Sequence, residues 1–262
     1  MVKVTNPPER VGRYDAETPP RVIVVIPTYN EAENLPELLR QIMSQGVEGL
    51  EVLLVDDNSP DGTADLAEKL IDELGGKVRV LRRPGKLGLG TAYLEGFAEA
   101  LVSGADHVIE MDADLSHSPR YIPELLDKMR DFDVAIGSRW TLGGGVDSGW
   151  SLARRFLSLG ASLYCRIILG LEVKDTTTGF KCFRRQALKG LDLVRVNSHG
   201  FAFQVEVAYL CQRKGYRITE VPILFQRRGH GVSKMSIGII LEALWRVLAI
   251  RLRTDLFKGK HL

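Results

Sequence analysis

From residue 21 to residue 136 the chain alternates short apolar runs with helix-period segments, and this alternation restricts its possible folds more than any other feature. The apolar runs occupy residues 21–26, 51–55, 78–81, 107–111 and 133–136. Between them, residues 31–44, 63–74, 90–102 and 119–130 read as helices. In the first, Leu35, Leu38, Leu39, Ile42 and Met43 recur at helical spacing. In the second, Asp61-Gly62 opens and Gly75-Gly76 closes the segment. Strands that run parallel need a crossover of this length. Val22-Ile23-Val24-Val25-Ile26 contains no polar residue, as expected of a strand covered on both faces. The expected fold is α/β, a mostly parallel sheet flanked by helices.

The remainder is less regular. A Gly143-Gly144-Gly145 loop precedes a helix over 151–169, a polar turn over 175–179 and a short strand near 180–184. A helix over 201–214 leads into one or two short strands within 216–225 and a Gly- and Arg-containing loop over 226–236. We expect a flexible arm over 1–20, one α/β domain over 21–236, and an amphipathic helix with a basic tail over 237–262. A chain of 262 residues, 45% hydrophobic, buries a core without staples, and disorder is excluded. Cys165, Cys182 and Cys211 form no CxxC pair, which argues against structural zinc and for a reducing compartment.

The polar, proline-rich start has no apolar stretch of the kind a signal peptide needs. No run reaches the roughly 18–20 uninterrupted apolar residues of a spanning helix. The nearest, residues 237–252, is broken by Glu242, Arg246 and Arg251. Its apolar face reads either as a membrane-surface anchor or as a helix docked on the body of the protein. Arg251, Arg253, Lys258 and Lys260 favour an anionic membrane surface for the tail. The expected location is cytoplasmic, peripheral on the cytoplasmic face of a membrane.

In open α/β sheets, ligands collect at the carboxyl ends of the strands. Here those ends are followed by Pro27-Thr28-Tyr29-Asn30-Glu31, Asp56-Asp57-Asn58-Ser59, Asp112-Ala113-Asp114 and Gly137-Ser138-Arg139. Two carboxylates leaving one strand at i and i+2 point the same way, which is costly without a cation. Asp112 and Asp114 are therefore candidate ligands for Mg²⁺ or Mn²⁺, with a plain surface turn as the alternative. Of Asp56 and Asp57, one can serve a nucleotide base and the other a turn. Gly85-Lys86-Leu87-Gly88-Leu89-Gly90 fits neither the Walker pattern nor the dinucleotide fingerprint, so it reads as a loop entering a helix.

Charge is divided along the chain. Residues 1–136 carry 14 Lys/Arg against 25 Asp/Glu, and residues 137–262 carry 21 against 8, giving −11 and +13. An acidic half suits a divalent metal and a basic half suits phosphates. Arg139, Arg154, Arg155, Arg227, Arg228 and Lys234 supply the second, without the interleaved aromatics of a nucleic-acid surface. The histidines show no metal-ligand spacing, and His117 reads as a turn residue. No nucleophile elbow or Ser-His-Asp pattern is visible.

In this order, Pro27 to Glu31, Asp56 to Thr63, Gly88 to Gly90 with Gly96, Met111 to His117, Gly137 to Arg139, Arg154 with Ser158, Asp175 to Phe180, Glu220-Val221-Pro222 and Arg228 to Met235 resemble family 2 glycosyltransferases of the Rossmann-like GT-A fold. Within that family the pattern is similar to the dolichol-phosphate or polyprenol-phosphate mannosyltransferases, from about Val22 to Arg253. The resemblance implies GDP-mannose as donor, a polyprenyl or dolichyl phosphate as acceptor, and a divalent metal. It implies that Pro27, Tyr29, Glu31, Val55 and Asp57 hold the guanosine, and that Asp112, Ala113 and Asp114 hold the diphosphate and metal. It assigns the donor phosphates to Arg139, Arg228 and Lys234, the acceptor phosphate to Arg139, Arg154 and Ser158, and the catalytic weight to Asp114, Arg139, Arg228 and Lys234. Two positions depart from the pattern: Ser116 stands where some relatives have Gln, and Gln226-Arg227 replaces an apolar–acidic pair. With no spanning helix read from the sequence, a membrane-embedded partner protein is also expected. An acceptor phosphate is largely dianionic above its second pKa of about 6, so no strong general base is required. Another donor such as UDP-glucose, or a non-catalytic nucleotide-sugar-binding subunit, remains the alternative.

Overall fold

A computed structural model describes residues 19–193, 196, 198, 200–229 and 244–253. Its first half is β1 (Val22–Thr28), α1 (Leu35–Met43), β2 (Leu50–Asp56), α2 (Thr63–Leu70), β3 (Val78–Arg82), α3 (Leu89–Val102), β4 (His107–Glu110), α4 (Ile122–Lys128) and β5 (Val134–Ser138). The second half is β6 (Gly145–Val146), α5 (Leu152–Leu169), β7 (Lys181–Arg184), α6 (Arg185–Gly190), α7 (Phe201–Arg213), β8 (Ile218–Pro222) and β9 (Leu224–Phe225). Residues 244–253 form a last helix, α8. The seven-stranded sheet has the order β3-β2-β1-β4-β7-β5-β8, and β6 pairs with β9 separately. All neighbours in the large sheet are parallel except β7, which lies antiparallel between β4 and β5.

The unbroken apolar character of β1 follows from its central place. Ile23 and Val25 face α3, where Tyr93 and Phe97 close one core. Val22, Val24 and Ile26 face α1, where Leu35, Leu38, Leu39 and Ile42 close the other. Each fully buried aliphatic side chain contributes roughly 1.5–3 kcal/mol. The strand also continues through Pro27, where the sequence suggested it would end. The Val25 carbonyl accepts from the Met111 amide, so residues 25 and 27 present their backbone towards β4. Pairing with β4 stops at Val25–Glu110, so the missing proline N–H breaks no ladder bond.

Gly96 lets α3 lie close on β1 and β2. A Cβ there would run into Val25 Cγ1 and come within 3.0 Å of Val55 Cγ2. Gly96→Leu is expected to destabilise the fold by about 3 kcal/mol through overpacking. Urea unfolding measures this, and an unchanged midpoint would contradict the packing described.

The short helix α6 and the strand β6 were not expected from the sequence. Of the 237–262 helix, only residues 244–253 are described, and these favour the docked reading for one face. Val247 and Ile250 are buried in the core, and Tyr164 Oη donates to the Leu244 carbonyl at 3.1 Å. The arm up to residue 18, and Lys258 and Lys260 of the tail, lie outside the described residues.

Candidate active site

The register of the sheet brings the sequence-picked loops to one edge. Thr28 of β1 pairs with Asp56 of β2, and Val25 pairs with Glu110 of β4, which places Asp112 just beyond the strand ends. The loops after β1 and β2 are tied together by carboxylates. Thr28 Oγ1 donates to Asp56 Oδ1 at 2.9 Å, and the Ser59 amide and hydroxyl donate to the same carboxylate. The Ala32 amide donates to Asp61 Oδ2, and the Glu31 amide to Thr63 Oγ1, both at 3.0 Å. Asp56 is therefore the structural member of the Asp56-Asp57 pair.

Asp57 is buried and engaged as well. It forms an ion pair with Arg83 and accepts the Gly88 amide at 3.2 Å. Arg83 in turn donates to Thr91 Oγ1 at 2.7 Å. A base recognised here would meet an Asp57–Arg83 unit, a partner the sequence reading did not supply. The Val55 side chain is fully buried, in the core that α3 covers, so this residue can offer a ligand only its backbone. Lys86 Nζ lies 3.9 Å from the Tyr29 ring centroid, and Glu31 Oε2 accepts from Asn34 Nδ2 at 2.8 Å.

Asp112 and Asp114 both reach the edge, and their surroundings differ. Tyr93 Oη donates to Asp112 Oδ1 at 3.1 Å. Burial, and then the charge of Asp114, push the Asp112 carboxyl up to about 7. Asp114 Oδ1 accepts the Ser116 amide at 3.1 Å and also the Ser116 hydroxyl. This fold-back requires Leu115 to take a left-handed φ of 63°, which costs a non-glycine residue roughly 1–2 kcal/mol. Asp114 Oδ2 pairs with Arg228 Nε at 2.8 Å. The Arg228 segment lies across the turn, since the Gln226 amide donates to the Ser116 carbonyl and the Gly229 amide to the Asp114 carbonyl. A Cβ at Gly229 would stand 2.7 Å from Asn34 Oδ1 and 2.9 Å from Leu115 Cδ1, so a larger residue at this crossing would displace those two side-chain ends.

His117 is not the simple turn residue that the sequence suggested. It is buried between Phe180 and Phe225, with ring centroids at 5.3 and 5.1 Å, and its Nδ1 is 3.6 Å from Asp112 Oδ2. Burial above all pushes its pKa down to about 4. Beneath Asp112 lies another pair that sequence reasoning missed. Lys181 Nζ contacts Glu110 Oε1 at 2.6 Å, both fully buried, and also donates to Gln204 Oε1. The available clue was Glu110 itself, an acid set between Ile109 and Met111, which requires a partner once it is buried.

Arg139 differs most from expectation. Its Nε and Nη2 form a two-pronged pair with the buried Asp175 at 2.7 and 2.6 Å, and its amide donates to Asp175 Oδ2 at 2.9 Å. Glu220 holds the Asp175 turn in place by accepting the Lys174 and Asp175 amides, each at 3.0 Å. Arg139 is thus a fixed positive group rather than a free phosphate fork. Arg154 stacks on Trp150 at 3.8 Å at the start of α5. Burial, and then the positive charges of Arg228 and Arg139, lower its pKa, so the three arginines share one field with Asp114. Ser158 lies one turn further along α5. Lys234 lies outside the described residues.

Among the described residues, no three His, Cys, Asp or Glu side chains converge as a metal cage. Two carboxylates, with the Asp112 side chain 34% exposed, fit a hard divalent cation that takes its other ligands from phosphate and water.

A family model described as glycosyl transferase family 2 matches residues 23–192. The chain belongs to that family. This glycosyltransferase is 45% identical over 227 residues to an undecaprenyl-phosphate mannosyltransferase of Micrococcus luteus, covering 87% of this chain and 92% of the relative. It is 42% identical over 242 residues to a polyprenol monophosphomannose synthase of Mycolicibacterium smegmatis, covering 91% of each. Its fold is similar to that of a Pyrobaculum calidifontis mannosyltransferase solved with GDP-mannose and Mn²⁺. There the TM-score is 0.61 at 19% identity, over 93% of this chain and 66% of the other. Glucosyl-3-phosphoglycerate synthase of Mycobacterium tuberculosis, solved with Mn²⁺ and UDP-glucose, gives a TM-score of 0.63 at 18% identity, over 89% and 78%. The sheet order, with its one antiparallel strand, agrees with the GT-A fold expected from the motifs.

Proposed function

We propose that this family 2 glycosyltransferase moves mannose from GDP-mannose to a polyprenyl monophosphate with inversion, giving a β-linked mannosyl phosphate lipid. The observation that carries the reading is the pair of relatives, 45% and 42% identical across about nine-tenths of the chain, both named for making mannosylated polyprenyl phosphate. Mg²⁺ or Mn²⁺ on Asp112 and Asp114 would supply positive charge to the departing diphosphate.

The protein's own groups do the rest. The acceptor oxyanion attacks the anomeric carbon in line as the bond to GDP breaks. Two phosphate groups must approach each other for this, and Arg139, Arg154 and Arg228 offset their repulsion. Asp175 fixes Arg139, so its charge is in place before substrate arrives. Arg154 and Ser158, on successive turns of α5, face the acceptor phosphate. Arg228 exchanges its pairing with Asp114 for donor phosphate, and Lys234 follows on the same segment. Pro27, Tyr29, Glu31, Val55 through its backbone, and Asp57 with Arg83 line the nucleoside end. The catalytic unit is residues 21–236. Among the described residues no helix is long and apolar enough to cross a membrane. Peripheral attachment at the cytoplasmic face, through the basic tail and a membrane-embedded partner, brings the lipid substrate within reach.

Donor choice is tested by competition between GDP-mannose and UDP-glucose for a short polyprenyl phosphate. Mannosyl lipid is the expected product. Turnover with UDP-glucose alone would overturn the assignment.

A further inference from the structure

The turn over residues 175–179 leads into β7, the antiparallel strand, so it lies at the edge where β4 and β5 end. Its two ends touch different halves of the site. At its start, Asp175 pairs with Arg139, and Thr177 Oγ1 accepts from Arg139 Nη2 at 2.8 Å. At its end, Gly179 lies against Asp112. A Cβ there would stand 3.0 Å from Asp112 Oδ1 and 3.3 Å from Oδ2. The turn thus bridges the carboxylate on the metal side and the arginine on the phosphate side.

Lys181 holds this turn. It faces Glu110 across the β4–β7 ladder, two residues before Asp112. Its Nζ donates to Glu110 Oε1 and to the Thr178 carbonyl, each at 2.6 Å, and to Gln204 Oε1 of α7. An ammonium group has three N–H donors, and all three are used here, so none is left for a substrate. The same helix supports the other side of Asp112. Phe203, next to Gln204, stacks on Tyr93 at 5.7 Å and 3°, and Tyr93 Oη donates to Asp112 Oδ1.

Stability alone does not call for this cluster. Lys181 and Glu110 are fully buried and Gln204 nearly so. Apolar side chains of similar volume often preserve or raise stability at such places. They cannot supply directed bonds that hold a turn, a strand end and a helix at fixed separations, and groups behind a metal ligand act through such bonds.

We propose that Lys181 is a positioning residue for the transfer reaction. By locking the 175–179 turn onto Glu110 and Gln204, it aims Asp112 and Arg139 at one donor diphosphate. This rests on the reading of Asp112 as a metal ligand given above.

The test is Mn²⁺ binding in the presence of GDP, read as loss of the free-ion electron paramagnetic resonance signal when the full chain is added, alongside thermal melts and turnover. Two variants separate geometry from folding. Gly179→Ala sets a methyl against the Asp112 carboxylate, which is partly exposed and yields before the backbone does. Lys181→Met/Glu110→Leu/Gln204→Leu removes the whole buried cluster and strands no charge. Both should melt near the wild-type temperature, bind Mn²⁺ about tenfold more weakly and turn over about a hundredfold more slowly. Wild-type Mn²⁺ affinity in Gly179→Ala, or in a folded triple variant, would overturn the proposal. A triple variant that fails to fold would overturn the part given to Lys181, because stability would then account for it. A wild type that takes up no Mn²⁺ with GDP would refute the metal reading and the proposal with it, whereas equal uptake by wild type and variants sinks the proposal alone.

Discussion

Replacing Asp114 with Asn is expected to lower turnover about a thousandfold while leaving the fold intact. The substitution keeps the size of the side chain and an oxygen to accept the Ser116 amide, which now donates to Asp114 at 3.1 Å. It removes the charge that pairs with Arg228 and that would share a divalent cation with Asp112. Without that charge, the diphosphate departs against weaker electrostatic stabilisation. Steady-state kinetics and a thermal melt on one preparation separate chemistry from folding. A variant that turns over at the wild-type rate would remove Asp114 from the reaction. If instead the chain were only a nucleotide-sugar-binding subunit, a partner's activity would survive the change.

The second large effect concerns Asp175. Asp175→Ala leaves Arg139 nearly buried and without its counter-charge, a loss that typically costs 3–5 kcal/mol, so about 4 kcal/mol is expected here. Turnover should fall as well, by about a hundredfold, because Arg139 loses the support that aims it. Adding Arg139→Ala should restore part of the stability without restoring turnover, since the stranded charge is then gone. Urea unfolding of both single variants and the double variant gives the coupling directly. Strictly additive destabilisation would contradict the pair as described.

These two sites also show how far the sequence could be read. Asp112 and Asp114 were visible because their chemistry is local: two acids two residues apart at the end of an apolar run. The parallel strands and most helices were visible for the same reason, since period and punctuation lie within short windows. Contacts between distant segments were not. Asp175 meets Arg139 across 36 residues, Lys181 meets Glu110 across 71, and Arg83 meets Asp57 across 26. Each partner is an ordinary charged residue until the fold buries it. The antiparallel insertion of β7 between β4 and β5 is likewise a long-range choice that no local pattern records. His117 looked like a turn residue because the aromatic walls that enclose it come from Phe180 and Phe225.

Radiolabelled mannose provided as GDP-mannose, a short polyprenyl phosphate and the full chain form the decisive assay, run in chelator and again after adding Mg²⁺ or Mn²⁺. Mannosyl phosphate lipid should be absent in chelator and should form at full rate once either cation is restored. Undiminished transfer in thorough chelator would show that the two aspartates do not work through a metal.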